Sequence, residues 1–366
     1  MSTRPLVSVI IPVRNEGRYI GACLESLLRC SYPPTRWEII LADGMSDDAT
    51  RSEVARVARR SPVSIIVVDN PRRVTPFALN LALGLARGEI IIRIDAHAEY
   101  GDDYVTRCVA ASQARDAANV GGVTVAIPGA PTPMGRAIAL AMMHPFGVGN
   151  AMMRISRTAQ EVDTVPFGCF RAEVFTRIGL FDERLVRNQD YELNQRIRRS
   201  GGRVFLDPSL ELRYISRPTL RKLLQQAWAN GFWNALCHHV HPYSRSLRHV
   251  IPLGFSVGAV WSVAAAVWAW WGGVPAWAQP LAWCGWAIYL AYLAMDLVVT
   301  TRLAAKHGWR LWPALVILFP AFHFANGAGL ALGWTRALLH RYPWQPEDHI
   351  PTWDEQRLQQ RTRMAA

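Results

Sequence analysis

Val7-Ser8-Val9-Ile10-Ile11-Pro12-Val13 runs directly into Arg14-Asn15-Glu16. An apolar, largely β-branched run that ends abruptly in polar side chains reads as a buried strand with a reactive or binding edge at its carboxyl end. The pattern recurs twice: Ile39-Ile40-Leu41-Ala42 leads into Asp43-Gly44, and Ile90-Ile91-Ile92-Arg93-Ile94 leads into Asp95-Ala96-His97. Strands are predicted over residues 7–13, 38–42, 63–68, 89–94 and 120–126. Apolar residues at helical spacing fill 18–30, 48–60, 75–86 and 103–114. Repeated βα units of this length imply a parallel sheet with right-handed crossovers. In such open sheets the ligand sits outside the carboxyl ends of the strands.

The alternation breaks after residue 127. Residues 128–133 form a Pro- and Gly-rich loop by composition, and 135–157 are rich in Met and Gly without a clear period. Helices follow at 172–178 and 190–200, then short strands at 203–206 and 210–215. Pro218 opens an amphipathic helix through Cys237, with Leu220, Leu223, Leu224, Ala227, Trp228 and Gly231 on one side. Its aromatics and flanking Arg and Lys suit a helix lying in a membrane interface; packing into a groove of the α/β half is the alternative.

Of 366 residues, 51% are hydrophobic, and they are unevenly placed. Charges recur every few residues up to Arg248, whereas from His249 to Thr301 the one charged side chain is Asp296, His249 itself aside. Segments 250–271 and 281–300 are long enough for a hydrocarbon core that needs about 20 helical residues. Segment 311–334 is also long enough, but Pro313, Pro320 and its glycines interrupt it. The net charge of +12 implies an anionic partner; with apolar spans present, anionic membrane lipid is expected rather than nucleic acid. Arg217, Arg221, Lys222, Arg245 and Arg248 precede the first span, whereas the loop 272–280 carries no charge. That asymmetry predicts a cytoplasmic α/β half, and the short first apolar run lacks the pattern of a signal peptide. Arg336, Arg341, Arg357, Arg361 and Arg363 favour the same side for the tail. Segment 311–334 is therefore expected either to span against that rule or to dip in and return. The six cysteines form no metal-binding or redox pattern, which predicts packed, reduced thiols.

Neither a dinucleotide fingerprint nor a phosphate-binding Gly-x-x-x-x-Gly-Lys loop follows any predicted strand. A bound diphosphate would then need a strand-end carboxylate acting through a divalent cation. Asp95 and His97, two apart on an extended segment, point the same way and can face one metal together. Taken alone the triplet also reads as a turn-forming Asp and a packed His. Asp190 opens a predicted helix, where it reads either as an N-cap or as a carboxylate held ionised by the helix terminus, the form a general base needs.

Ser8 to Glu16, Ala42-Asp43-Gly44-Met45-Ser46-Asp47-Asp48-Ala49-Thr50, Ala78-Leu79-Asn80 with Ala86-Arg87-Gly88, and Arg93-Ile94-Asp95-Ala96-His97 occur in an order that resembles the family 2 inverting glycosyltransferases of GT-A fold. Val162 to Gly168, Asn188-Gln189-Asp190-Tyr191-Glu192-Leu193-Asn194, Arg213-Tyr214 and Gly231-Phe232-Trp233 resemble more narrowly the membrane-associated transferases of succinoglycan assembly. The resemblance implies an α/β class: a Rossmann-like GT-A nucleotide-sugar domain over 1–216, expected to fold alone, and an α-helical membrane part. The latter comprises an interfacial region 217–248, a membrane domain 249–334 with two or three hydrophobic segments, and a basic tail 335–366. It implies that Pro12, Arg14, Glu16, Asp43 and Asp95 bind the nucleotide sugar, that Asp95 and His97 hold Mg²⁺ or Mn²⁺, and that Asp190 is the catalytic base. Phe167, Gly168, Gln189, Gln226 and Trp233 fall in the donor-sugar or acceptor region. The implied reaction moves one sugar, glucose first among the candidates, from a UDP-sugar to a polyprenyl-diphosphate-linked acceptor at a bacterial-type inner membrane. A polyprenyl-phosphate sugar synthase and a non-catalytic nucleotide-sensing membrane subunit are the alternatives. His97 stands where the family more often has Asp, which shifts metal preference toward manganese. The Gln-x-x-Arg-Trp motif of processive synthases is missing, which favours single-sugar addition.

Overall fold

The structure, a computed structural model, describes residues 4–271, 273, 277–345 and 347–358. Gly272 and residues 274–276 of the uncharged loop, and Arg361 and Arg363 of the basic tail, lie outside the described residues. The elements run β1 (Val7–Val13), α1 (Ile20–Leu28), β2 (Trp37–Asp43), α2 (Thr50–Ala58), β3 (Ser64–Asp69), α3 (Thr75–Leu85), β4 (Ile90–Arg93), β5 (Ala98–Tyr100), α4 (Tyr104–Ala114), β6 (Asn119–Gly121) and β7 (Thr124–Ile127). Then come α5 (Pro133–Ala141), α6 (Pro145–Val148), α7 (Met152–Ile155), β8 (Gln160–Glu161), β9 (Cys169–Arg171), α8 (Ala172–Ile178), α9 (Gln189–Arg199), β10 (Val204–Leu206) and β11 (Leu212–Ile215). Four long helices follow: α10 (Leu220–Val240), α11 (Leu247–Trp271), α12 (Gln279–His307) and α13 (Trp312–Leu338).

The chain forms two compact units, Met1–Val125 with Ala151–Ile215 and Pro343–Ala366, and Ala126–Asn150 with Ser216–Tyr342. In the first, an eight-stranded sheet has the order β3-β2-β1-β4-β9-β6-β10-β8, and β5, β11 and β7 form a small second sheet. The first four strands are parallel, as expected, but β9 is antiparallel to both β4 and β6 and β8 is antiparallel to β10. The sheet is thus mixed rather than wholly parallel. Along β1, Val9 and Ile11 join the core beneath α1 and α4 while Ile10 joins the core beneath α3 and α9. A strand covered on both faces needs apolar residues at every position, which is why this one does not alternate.

Three further features depart from the sequence reading. The strand expected over 120–126 breaks into β6 and β7 at Gly122, where a Cβ would stand 1.5 Å from the Leu210 carbonyl oxygen. The aperiodic stretch 135–157 contains α5, α6 and α7, helices too short, α5 apart, to display a period. The tail does not stand apart: Trp353 is buried against Phe175, Leu180 N–H donates to the Pro351 carbonyl, and Glu183 N–H donates to the His349 carbonyl. A fragment ending near Ser216 therefore lacks one of the core residues of the first unit.

Within the second unit α10 lies along α13 in parallel. A Cβ at Gly231 would stand 1.9 Å from the Asn326 carbonyl oxygen, one at Gly329 2.1 Å from that of Trp228, and one at Gly333 2.5 Å from that of Phe232. Small residues let the two backbones meet, the device of close helix pairs in membranes. Of the apolar side of α10 suited to a membrane interface, Leu223, Ala227 and Gly231 are buried here against helix, Leu220 and Leu224 are half-buried and Trp228 is exposed. Among the described residues three helices are long and apolar enough to cross a membrane, Leu247–Trp268, Ala282–His307 and Trp309–Leu338. The last is one unbroken helix despite Pro320, so no hairpin return occurs inside it.

Gly231→Leu is expected to cost about 1–3 kcal/mol by forcing α10 from α13. Gly258→Leu, where an added Cβ meets nothing within 4 Å, should leave stability unchanged. Thermal unfolding of both variants in detergent checks the contrast.

Candidate active site

Strand register collects the polar groups at one sheet edge. Pro12 lies opposite Ala42 and Val13 opposite Asp43, while Ile10 lies opposite Arg93, so 14–16, 43–46 and 95–97 leave the sheet side by side. The first two loops are stitched together: Asn15 N–H donates to Ser46 Oγ (2.9 Å), Asp47 N–H to Asn15 Oδ1 (3.1 Å) and Glu16 N–H to Thr50 Oγ1 (2.8 Å). The Arg14 stem packs over Gly44, where a Cβ would stand 3.0 Å from its own Cβ. Asp43 is sealed from solvent; its carboxylate accepts from Ser46 and from Arg51. Its visible work is to shape this loop. Asn15, Met45, Phe167 and Asn188 all hold left-handed backbone (φ 54° to 66°), a conformation costly for such residues and concentrated at working sites.

The centre of the edge is a residue that sequence reading passed over. Arg93, 5% exposed, places Nη2 2.8 Å from Asp95 Oδ1 and Nη1 3.5 Å from Asp190 Oδ2. Its guanidinium lies over the Phe167 ring, 4.8 Å from the centroid, and its N–H donates to the Gly168 carbonyl (3.0 Å). Phe167 thus supports the cation that joins the two carboxylates, while Gly168 holds the Arg93 backbone. Burial pulls the Arg93 pKa down, and Asp190 and Asp95 push it back above the ordinary guanidinium value. The usable signal was an arginine in an otherwise apolar strand, two residues before Asp95 and so on the same face.

Asp190 is the second residue of α9, not its cap; Asn188 occupies the N-cap without a side-chain capping bond. Burial pushes the Asp190 pKa above the usual carboxylate value, Arg93 pulls it down, and Asp95 pushes it up. A carboxylate so placed is a stronger base than an exposed one. Glu192, two residues on, is buried and paired with Arg196 (2.8 Å), facing away from the site. Gln189 is buried with its Oε1 unpartnered. Asn194 fixes α9 to the strand leading into the site, accepting from Asn119 Nδ2 (2.7 Å) and donating to Thr164 Oγ1 (2.9 Å). A Cβ at Gly168 would meet Asn119 Oδ1 at 2.4 Å, so only glycine fits there. Gln226 and Trp233 belong to the second unit, where Gln226 accepts from Arg217 Nε (3.0 Å) and Trp233 stands edge-on to Phe232.

His97 Nδ1 is 3.2 Å from Glu16 Oε1, and its ring meets the Tyr214 ring edge-on at 6.1 Å. A carboxylate on one imidazole nitrogen orients the other toward a metal. Among the described residues no group of three or more His, Cys, Asp or Glu side chains could hold a metal ion. One carboxylate and one imidazole nevertheless suit a cation whose remaining ligands come from a diphosphate, the usual arrangement for magnesium-type sites.

Arg93→Met leaves Asp95 and Asp190 without their shared cation and is expected to lose about 3–5 kcal/mol of stability at neutral pH. Asp190, already raised by burial and now without the opposing Arg93, then binds its proton more tightly folded than unfolded, so the deficit grows as pH rises through the ordinary carboxylate range and shrinks below it. Urea unfolding at acid and neutral pH checks this, and adding Asp190→Asn should recover part of the loss.

The family model described as Glycosyl transferase family 2 matches residues 8–179. The succinoglycan biosynthesis protein ExoA of Rhizobium meliloti is 30% identical over 287 residues, covering 77% of this chain and 85% of that protein. A dolichyl N-acetyl-α-D-glucosaminyl phosphate 3-β-D-2,3-diacetamido-2,3-dideoxy-β-D-glucuronosyltransferase of Methanococcus voltae is 25% identical, covering 89% and 96%. The fold is similar to that of mannosyltransferase PcManGT from Pyrobaculum calidifontis, solved with GDP-Man and Mn²⁺, at a TM-score of 0.56 and 20% identity over 89% of this chain and 88% of that one. With the GT-A-like sheet, its strand-end carboxylates and a relative alike over most of both lengths, the chain belongs to glycosyltransferase family 2.

Proposed function

We propose that this chain transfers one sugar, with inversion, from a UDP-sugar, UDP-glucose foremost, to a polyprenyl-diphosphate-linked acceptor in exopolysaccharide or surface-glycan assembly. The observation that carries the reading is Arg93 drawing Asp95 and Asp190 to one point at the strand ends. The likeness to a succinoglycan biosynthesis protein and to a transferase named for a dolichyl-phosphate-linked substrate supports the lipid-linked acceptor. Pro12, Arg14 and Glu16 line the nucleotide end of the pocket in this reading, with the sealed Asp43 shaping the loop that carries it. Phe167, Gly168, Gln189, Gln226 and Trp233 serve the transferred sugar or the acceptor.

Asp190 accepts the proton of the acceptor hydroxyl as that oxygen attacks the anomeric carbon. The carbon–oxygen bond to the diphosphate breaks with its electron pair going to the leaving group, and a single displacement inverts the centre. Arg93 keeps Asp190 ionised and aimed. Asp95 and His97 would hold Mg²⁺ or Mn²⁺, which supplies charge neutralisation to the diphosphate.

The second unit places this chemistry at a membrane in the proposal. The two ends of its longer segment, Ser216 and Tyr342, both continue into the first unit, whose core includes Trp353. A membrane entered by this segment is then crossed an even number of times. Two crossings by α11 and α12 meet this condition and keep the catalytic unit and the tail on the cytoplasmic side. α13, paired with the polar α10 that carries Arg221, Lys222, Gln225 and Asn230, is the helix that does not cross. A reporter fused after Ala366 is expected to be active only in the cytoplasm, and one in the 272–280 loop only outside; external activity of the terminal fusion contradicts this topology.

Membranes containing the chain, incubated with labelled UDP-sugars and GDP-mannose and then extracted for lipid, identify donor and acceptor together. Label entering a lipid-linked saccharide supports the proposal, label on polyprenyl phosphate itself points to the synthase alternative, and no label contradicts transfer. Asp190→Asn should lower transfer by about 10²–10⁴ while leaving nucleotide affinity and folding nearly unchanged. Transfer within a few-fold of wild type would remove Asp190 from the mechanism.

A further inference from the structure

Arg154 lies in α7, within the Met-rich stretch that the reading of the site leaves unused. Its guanidinium sits 5.6 Å from the centroid of the Tyr214 ring. The same ring meets the His97 imidazole, which is joined to Glu16. Arg154 is thus two ring contacts from the strand-end site, and all of these residues belong to one compact unit. Its Nη1 is sealed from solvent without a hydrogen-bond partner. Among the described residues no carboxylate forms an ion pair with it, in contrast to Arg184 and Arg196, which each hold one, and Arg93, which holds two.

Burial pushes the Arg154 pKa down, with Tyr214 the one opposing influence. An arginine nonetheless stays charged at any physiological pH. The side chain as a whole is half-buried, and a cation partly withdrawn from water with no counter-ion is unfavourable until an anion arrives to pair with it. The planar fork, resting on an aromatic face, is pre-organised for bidentate contact with phosphate oxygens. We propose that Arg154 is a phosphate-binding residue, its guanidinium on the Tyr214 shelf receiving a phosphate group beside the His97–Glu16 pair. The group comes from the nucleoside diphosphate or from the lipid-linked acceptor, and the inference rests on the nucleotide-sugar reading above.

The test uses the full-length chain and its Arg154→Gln variant, with Arg154→Met, which keeps the apolar stem, as the second variant should the first not fold. In detergent each is titrated with UDP and with uridine in the presence of Mn²⁺; in lipid nanodiscs each is titrated with polyprenyl phosphate. Loss of UDP affinity by about tenfold or more with uridine binding unchanged assigns the phosphate to the donor, since a charge-assisted hydrogen bond is being removed. Loss of polyprenyl-phosphate affinity with UDP binding unchanged assigns it to the acceptor. Variants that bind both ligands as tightly as wild type, or that lose uridine and UDP equally, overturn the inference while leaving the nucleotide-sugar reading intact. A wild-type chain that binds neither UDP nor polyprenyl phosphate overturns that reading itself.

Discussion

A single buried guanidinium, that of Arg93, holds together two carboxylates that would otherwise repel each other at the edge of the sheet. Much of the first unit arranges itself around this triplet. β9 runs antiparallel beside β4, and the Gly168 carbonyl that precedes it takes the Arg93 N–H. Phe167, in a left-handed conformation, lays its ring against the cation. α9 is moored by Asn194 to Asn119 and Thr164, which delivers Asp190 to the other side of the same guanidinium. A cation shared this way divides two partly exposed carboxylates between two tasks: one beside His97, and one whose basicity is raised.

The strands were legible because their physics is local. A buried parallel strand must be apolar at each position, and β1, β2 and β4 spell that out in Val, Ile and Leu. The polar residues at their ends likewise announce the binding edge of an open sheet. What escaped was non-local. β9 is three residues long, too short for any period, and its antiparallel placement depends on strands distant in sequence. Arg93 reads as an interruption of an apolar run until its two partners are brought near. The docking of the tail depends on one aromatic, Trp353, which in sequence is indistinguishable from the many tryptophans of the second unit.

The division of the chain follows the same logic. α5 and α6 sit between two strands of the first unit in sequence, yet Ala137, Ile138 and Ala141 find their apolar neighbours in Leu223, Leu315, Leu318 and Phe319. Neither unit is one continuous stretch of chain. Two threads of chain lead from the first unit into the helical one, at residues 126 and 216, and two return, at 151 and 343. That interlacing joins the two units by covalent connection at four points. It also explains why reading the chain as consecutive domains separated the tail from the core it completes.

The central claim is that Asp95 and His97 form half of a metal site whose other half is a nucleoside diphosphate. Electron paramagnetic resonance of Mn²⁺ titrated into the full-length chain, with and without UDP, tests it most directly. The account predicts weak binding alone, tighter binding with UDP, imidazole nitrogen coupling to the bound ion, and loss of the UDP-dependent signal in Asp95→Ala. Mn²⁺ that binds equally well without UDP, or that keeps its UDP-dependent signal in Asp95→Ala, would contradict it.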